Sequence, residues 1–374
     1  MKVLVLSCGT GEGHNSAAYA IMEALARHGI ECTLTDPLKF RSDRTARLVA
    51  SAYNSIIRKT PKVFGVIYRA GSIYSASKLP SPVYQANSLY AERLRAYLTD
   101  NNFDAVITTH LFAMEALTAI RKKHGPCVPC FGVMTDYTCI PFVHETLLDG
   151  YSIPHKDLSS SIEKLGIPSE KMYSTGIPVG SRFADRLTRS EARDRLCLPK
   201  SIPMILIMTG GVGCGKISEL CGKFMKHTDE DFLLCVLTGR NNELKSKLDD
   251  EFGSTGKVLT VPFTKEVNLY MNAADVLVSK PGGLSSTEAA VANVPLVHLL
   301  AFSGCETKNA EFFAAHGMSY HVADIDLAVE ASWSLIHDST SAKKMRANQR
   351  ANVHDHSADE IVEKVVGLCS QKNC

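Results

Sequence analysis

At 374 residues the chain is too long for one ordinary hydrophobic core, and 45% hydrophobic with 21% charged residues is the mix of a soluble globular protein. A net charge of +2 excludes a global electrostatic drive toward nucleic acid, and no apolar run approaches the roughly 18–20 residues that a membrane span requires. Twelve cysteines without regular spacing, in a long chain lacking an export signal, favour reduced thiols in the cytoplasm over a disulfide framework.

In chain order, the first apolar stretch is only Val3 to Leu6 and runs into a glycine-rich loop, which reads as a strand over Lys2–Ser7 and not as a signal peptide. Cys8–Gly13 is the turn after it. A helix from about Asn15 places Ala18, Ile21 and Leu25 on one face and stops near Gly29. Strands follow at Glu31–Thr35, Ala105–Thr109 and Cys130–Met134. Between Arg41 and Asn87 eight basic residues stand against one acid, so this stretch is +7 and the rest of the chain −5. The second half restarts at Met204–Met208, turns through Thr209–Gly215, and continues with strands at Phe232–Leu237, Lys257–Val261, Asp275–Ser279 and Pro295–Leu299. Strands alternating with helices predict parallel sheets covered on both faces, hence an α/β chain of two doubly wound domains. The join is expected between Gly176-Ile-Pro-Val-Gly180 and Ser201-Ile-Pro203. Ligands of such sheets bind beyond the carboxyl ends of the strands, which makes the cleft between the halves the default site.

The glycine loops carry the chemistry. Gly210-Gly-Val-Gly-Cys-Gly-Lys216 begins like a phosphate loop, but Ile217 replaces the hydroxyl that such a loop uses to bind magnesium. The glycines still let backbone amides approach an anion at a helix start, with a merely tight strand-to-helix turn as the lesser alternative. His14, at the mouth of the first turn, reads either as a helix-start histidine or as a base. The segment Asp275-Val-Leu-Val-Ser-Lys-Pro-Gly-Gly-Leu-Ser-Ser-Thr-Glu288 predicts a strand ending at Ser279, a sharp turn at Gly282-Gly283 and a helix from about Ser285. Amides and the positive end of the helix dipole would then hold a diphosphate, with Glu288 one turn in for the ribose hydroxyls. Ser285-x-x-Glu288 is also a capping box, which needs no ligand. The spacing alone supports both. Cys127-Val-Pro-Cys130 has no second pair, so an ordinary buried pair stands against zinc or redox chemistry.

Lys280-Pro-Gly-Gly283 followed by Ser-Ser-Thr-Glu288 resembles the nucleotide-sugar motif of the inverting glycosyltransferases of family 28. That family holds the monogalactosyldiacylglycerol synthases, the bacterial processive diacylglycerol glucosyltransferases and the peptidoglycan N-acetylglucosaminyltransferase. The resemblance runs along nearly the whole chain. Gly9–Ala17 is similar to the N-terminal glycine-histidine loop, Thr135-Asp136 and Phe142-Val-His-Glu145 to the end of the acceptor domain, and Gly176-Ile-Pro-Val179 to the interdomain motif. Val261-Pro-Phe-Thr264 is similar to the uracil loop, Gly304-Cys-Glu-Thr-Lys-Asn309 to the sugar-contacting segment, and His356-Ser-Ala358 to the start of the final helix. The N-terminal loop and the insertion after the second strand place it nearer the diacylglycerol branch.

The resemblance implies a GT-B fold: an acceptor domain over residues 1–180, a nucleotide-sugar domain over 181–350, and a helix over 351–374 returning to the first. It implies a UDP-hexose donor, a lipid acceptor such as diacylglycerol, inversion to a β-linked glycolipid, and no metal or other cofactor. His14 is the expected base and Asp136 the second candidate, with Gly13, His110 and His144 around the acceptor. On the donor side it implies Gly211, Gly213, Lys280, Gly282, Gly283, Leu284, Ser285 and Ser286 at the diphosphate. Phe263 is expected at uracil, Glu288 at the ribose, and Glu306 with Asn309 at the sugar. Residues 41–87 are expected to meet an anionic membrane, basic side chains on headgroups and Ile56, Ile57, Phe64, Ile67, Tyr68, Ile73 and Tyr74 in the interface, so that the enzyme sits peripherally on the inner face. A solvated basic face over ordinary core residues accounts for the same stretch. Two positions depart from the pattern: Cys305 stands where relatives have Gln, and Gly180 where many carry an arginine near the diphosphate, for which either Arg182 or the helix N-terminus with Lys280 is the expected substitute. The alternatives are a relative using UDP-N-acetylglucosamine on another lipid precursor and a UDP-sugar-binding protein without turnover.

Overall fold

The computed structural model describes residues 1–9, 12–49, 51, 81–208, 216–227, 229–299 and 304–372. Gly211, Gly213 and most of the basic segment over 41–87 lie outside them. The chain divides into two compact units, one of Met1–Ser181 with Ser303–Cys305 and His356–Cys374, the other of Arg182–Phe302 with Glu306–Asp355.

The first unit is built on a six-stranded sheet. Its strands are β1 (Lys2–Leu6), β2 (Glu31–Thr35), β3 (Ala105–Thr108), β4 (Cys130–Val133), β5 (Gly150–Ser152) and β6 (Met172–Tyr173), in the order β2-β1-β3-β4-β5-β6. All neighbours pair in parallel. Alternation along β1 splits the core: Leu4 and Leu6 face one apolar cluster with Leu94, Met114 and Leu117, while Val3 and Val5 face another with Ile21, Leu25 and Ile361. The helix Ser357–Lys372 belongs to that second layer, with Ala358, Ile361, Val362 and Val365 buried and Asp359 bound to Arg27 at 2.6 Å.

The second unit repeats the plan with β7 (Met204–Met208), β8 (Leu233–Gly239), β9 (Val258–Pro262), β10 (Val276–Ser279), β11 (Leu296–Leu299) and β12 (Tyr320–Val322), in the order β12-β11-β10-β7-β8-β9. These neighbours are also parallel. Beneath this sheet Arg193, only 1% exposed, fills its donors with the carbonyls of Ala273, Pro199, Lys200 and Ile202 and with Asp275 at 2.7 Å.

Strand order locates the binding edges. In the first sheet the winding reverses between β1 and β3, and in the second between β7 and β10. Loops leaving the carboxyl ends of strands at such a reversal diverge and leave a crevice. His14 follows β1, Thr109 follows β3, and the Lys280–Gly283 turn follows β10.

Candidate active site

In the first unit, the helix Glu12–Arg27 begins three residues earlier than the sequence suggests, so His14 sits in its first turn with Gly13 beside it. Ser7 donates its hydroxyl to Asn15 Oδ1 at 2.8 Å, and Gly9 N donates to Asp36, tying both sides of the loop to the sheet. His14 Nδ1 lies 2.8 Å from Thr109 O and 3.1 Å from Thr135 Oγ1. A carbonyl oxygen only accepts, so Nδ1 carries the hydrogen and Nε2 keeps its lone pair. Burial lowers the imidazole pKa, partly offset by the Thr109 bond, so His14 is neutral at neutral pH. Thr109 also donates its hydroxyl to His14 O at 3.1 Å, fixing the turn from both ends.

His110 packs edge-on against His14, ring centres 4.6 Å apart, but it is used differently. It is the N-cap of the helix Leu111–His124, and its Nδ1 accepts from Phe112 N at 3.2 Å. Burial and then the neighbouring His14 hold its pKa well below the usual value, so it is a neutral capping group. Asp136 lies half-buried just past β4, next in sequence to the Thr135 that meets His14. His144 sits in the short turn Val143–Glu145, where Glu145 accepts from both the amide and the hydroxyl of Ser81 at 3.0 Å. The CxxC pair consists of free thiols; Cys127 is half-buried, and the buried Cys130 is pushed well above its usual pKa by Cys127 and by burial, which makes it an unreactive thiol.

In the second unit the helix after β10 runs from Gly283 to Val291 with Gly282 as N-cap, two residues earlier than expected. This shift removes the capping box. Ser285 is the third helical residue, and its hydroxyl donates to Gly282 O at 3.3 Å instead of capping an amide. The first bond within the helix runs from Ser286 N to Gly282 O at 2.9 Å. The amides of Gly283, Leu284 and Ser285 therefore have no carbonyl a turn before them, and they point along the positive end of the dipole. A Cβ at Gly282 would meet Ser285 Oγ at 3.0 Å, so a larger residue there would have to displace that hydroxyl.

The other expected donor residues fall around this turn. Ser286 is 1% exposed and turned inward, its hydroxyl 2.9 Å from His298 Nε2, while His298 Nδ1 lies 3.1 Å from Ser319 Oγ. Burial and then His321 hold His298 down to about 3, so it is a neutral bridge in the core. Glu288 is half-buried, and burial raises its carboxyl to about 7 against the opposing charge of Arg182. Lys280 Nζ and Glu306 Oε1 pair at 2.5 Å. Asn309 is fully buried and gives Nδ2 to Pro281 O at 3.1 Å, so it holds the turn from below. Phe263, 57% exposed, extends past β9, and the Arg240 guanidinium past β8 lies 4.9 Å from its ring centre. Sequence reasoning missed Arg240, Thr109 and His298. Only the strand-end positions of the first two were available as a signal.

Residues 14–179 match the family described as monogalactosyldiacylglycerol (MGDG) synthase, and residues 204–365 match the glycosyltransferase family 28 C-terminal domain. Two processive diacylglycerol beta-glucosyltransferases, from Bacillus pumilus and Bacillus subtilis, are 26% and 27% identical to the chain over 98% of its length and 94% of theirs. MurG of Acinetobacter baumannii has a TM-score of 0.64 at 16% identity, covering 98% of this chain and 99% of that one. MnaA of S. aureus, solved with UDP, has a TM-score of 0.63 at 14% identity, covering 96% and 94%. At these identities the structural likeness is one of fold, which is GT-B, two Rossmann-like units.

Proposed function

Since this chain belongs to glycosyltransferase family 28, with an N-terminal half of the monogalactosyldiacylglycerol synthase type, we propose that it transfers a hexose from UDP to diacylglycerol with inversion at the anomeric carbon. The second unit holds the donor in this reading. The amides of Gly283, Leu284 and Ser285 and the Lys280 ammonium meet the diphosphate, Phe263 and Arg240 the base, and Glu288 the ribose hydroxyls. The first unit supplies the base. The acceptor hydroxyl gives its proton to His14 Nε2, and its oxygen bonds to the anomeric carbon as the bond to the β-phosphate oxygen breaks. UDP leaves with the electron pair, stabilised by amides that need no reorganisation. One displacement on an α-linked donor yields a β-linked product. Thr109 and Asp136 serve the base, Thr109 by fixing its tautomer and Asp136 by its charge beside Thr135.

The observation that carries this reading is the helix start at Gly283, which lies at the reversal of the second sheet and which no side chain caps. Among the described residues no helix is long and apolar enough to cross a membrane. Contact with the lipid is proposed to run through the basic segment over 41–87, on an anionic surface at the inner face of the cell membrane. The test is mass spectrometry of lipid formed from diacylglycerol vesicles with UDP-glucose, UDP-galactose or UDP-N-acetylglucosamine. A monohexosyl- or oligohexosyldiacylglycerol is expected; no glycolipid from any donor sinks the proposal, and product only with the N-acetylated donor keeps the acceptor and overturns the hexose.

A further inference from the structure

The turn between β10 and the helix Gly283–Val291 is gripped at two points by one face of the helix Cys305–Ala315. Glu306 and Asn309, three residues apart, stand over neighbouring turns of that face. They differ in what they can release. Asn309 is 0% exposed, and its bond to Pro281 O keeps the backbone of the turn in place. The Lys280–Glu306 pair lies at the rim, with side chains 31% and 20% exposed, within reach of a ligand.

We infer that Glu306 occupies Lys280 in the donor-free enzyme and yields it to the diphosphate, so that this pair couples the phosphate subsite to the sugar subsite. The inference rests on the reading of the Gly283 helix start as the diphosphate seat. Lys280 stands two residues before the N-cap, so an anion on the amides of Gly283–Ser285 comes within range of its ammonium. A diphosphate carries more than one negative charge and draws on the helix dipole as well, so it outcompetes a single carboxylate for the same cation. The two anions also repel each other, which pushes the released carboxylate away from the phosphates. An ionised carboxylate is acceptor-only and can take hydrogens from two sugar hydroxyls. Glu306 thus acts as a brake on UDP alone and as a ligand for UDP-hexose, which makes the site discriminate a nucleotide sugar from its nucleotide product.

Calorimetric titration of uridine, UDP and UDP-glucose into the full chain and into Glu306→Gln, Lys280→Met and the double variant tests this. Glu306→Gln is expected to bind UDP about 2- to 5-fold more tightly, the range of a part-exposed ion pair, and to lose part of its preference for UDP-glucose over UDP. Uridine affinity stays unchanged, which also reports that the variant is folded. The gain disappears in the Lys280→Met background. Unchanged or weaker UDP binding by Glu306→Gln, an equal gain for uridine, or a gain that survives loss of Lys280 overturns the coupling while leaving the diphosphate seat intact. A wild-type chain that binds no UDP overturns the seat together with the coupling.

Discussion

Nδ1 of His14 and the main-chain oxygen of Thr109 are 2.8 Å apart across 95 residues of sequence, and this one contact assigns the proton on the imidazole. With Nδ1–H committed to the carbonyl, Nε2 is the basic nitrogen, and burial keeps it unprotonated down to a pH below histidine's usual 6.5. His14→Ala is expected to lower kcat by about 10²- to 10⁴-fold while UDP affinity holds. In the wild type, kcat/KM should fall on the acid side as His14 gains its proton, at a pH below 6.5. Steady-state rates across pH, paired with UDP titrations of the variant, check both statements; normal turnover by His14→Ala removes the base assignment.

A second buried group should make stability depend on pH. Glu115 is 0% exposed, accepts from Asn87 Nδ2 at 2.6 Å, and has its carboxyl raised to about 8 by burial, with Glu145 adding to the rise. Tyr84 and Tyr90 stand in the same neighbourhood and are themselves pushed up. Between the ordinary value of 4.5 and about 8, the unfolded chain has released this proton and the folded chain has not. The Glu115 contribution is therefore full below pH 4.5 and is lost as pH rises toward 8. The unfolding free energy from urea titrations should drop from about pH 5 to about pH 8 by an amount on the order of a few kcal/mol, and Glu115→Gln should flatten that slope. An unchanged slope in the variant assigns the effect to other groups.

Arg193 is the structural counterpart. Its guanidinium bonds four carbonyls and Asp275, whose Oδ2 also accepts from Met204 N at 2.8 Å, so it joins the chain before β7 to the chain before β10. Arg193→Met leaves Asp275 with Arg189 and the Met204 amide, and takes this donor from four carbonyls, of which that of Ala273 is buried. A loss of about 3–5 kcal/mol in unfolding free energy is expected, the cost of removing one partner of a buried ion pair. Chemical denaturation with the donor-site affinity measured alongside will separate this from any effect on UDP.

Much of the architecture was legible because parallel strands buried on both faces must be apolar throughout. Among the described residues nine strands are legible in the sequence, most of them as apolar runs from Lys2–Leu6 to Leu296–Leu299, while the half-exposed edge strand Glu31–Thr35 alternates polar and apolar residues. The three that are not, Gly150–Ser152, Met172–Tyr173 and Tyr320–Val322, are two or three residues long and too short to set a period. The site was legible as loops and not as partners. Glycines mark where the chain turns, but whether Ser285 caps a helix depends on a two-residue shift of its start that no pattern fixes. The carbonyl that sets the tautomer of His14 and the carboxylate that occupies Lys280 come from elsewhere in the fold, 95 and 26 residues away.

That shift also decides how Glu288 should behave. A capping residue lowers stability when removed, whereas a carboxylate raised to about 7 by burial is held in the fold against its own solvation. By the same sign as Glu115, the folded chain keeps this proton above the ordinary 4.5 and the unfolded chain does not, so Glu288 detracts from stability as pH rises from 4.5 toward 7. Glu288→Ala is expected to leave thermal stability at neutral pH unchanged or raised, and to weaken UDP by about 1–3 kcal/mol through lost hydrogen bonds to the ribose. UDP affinity of the wild type should fall as pH drops below about 7, where the carboxyl takes up its proton and no longer accepts from both hydroxyls. Calorimetry with UDP and with its 2′,3′-dideoxy form separates the causes: the dideoxy ligand should bind wild type and Glu288→Ala equally. A variant that melts earlier and binds UDP normally would return Glu288 to a role in the helix alone.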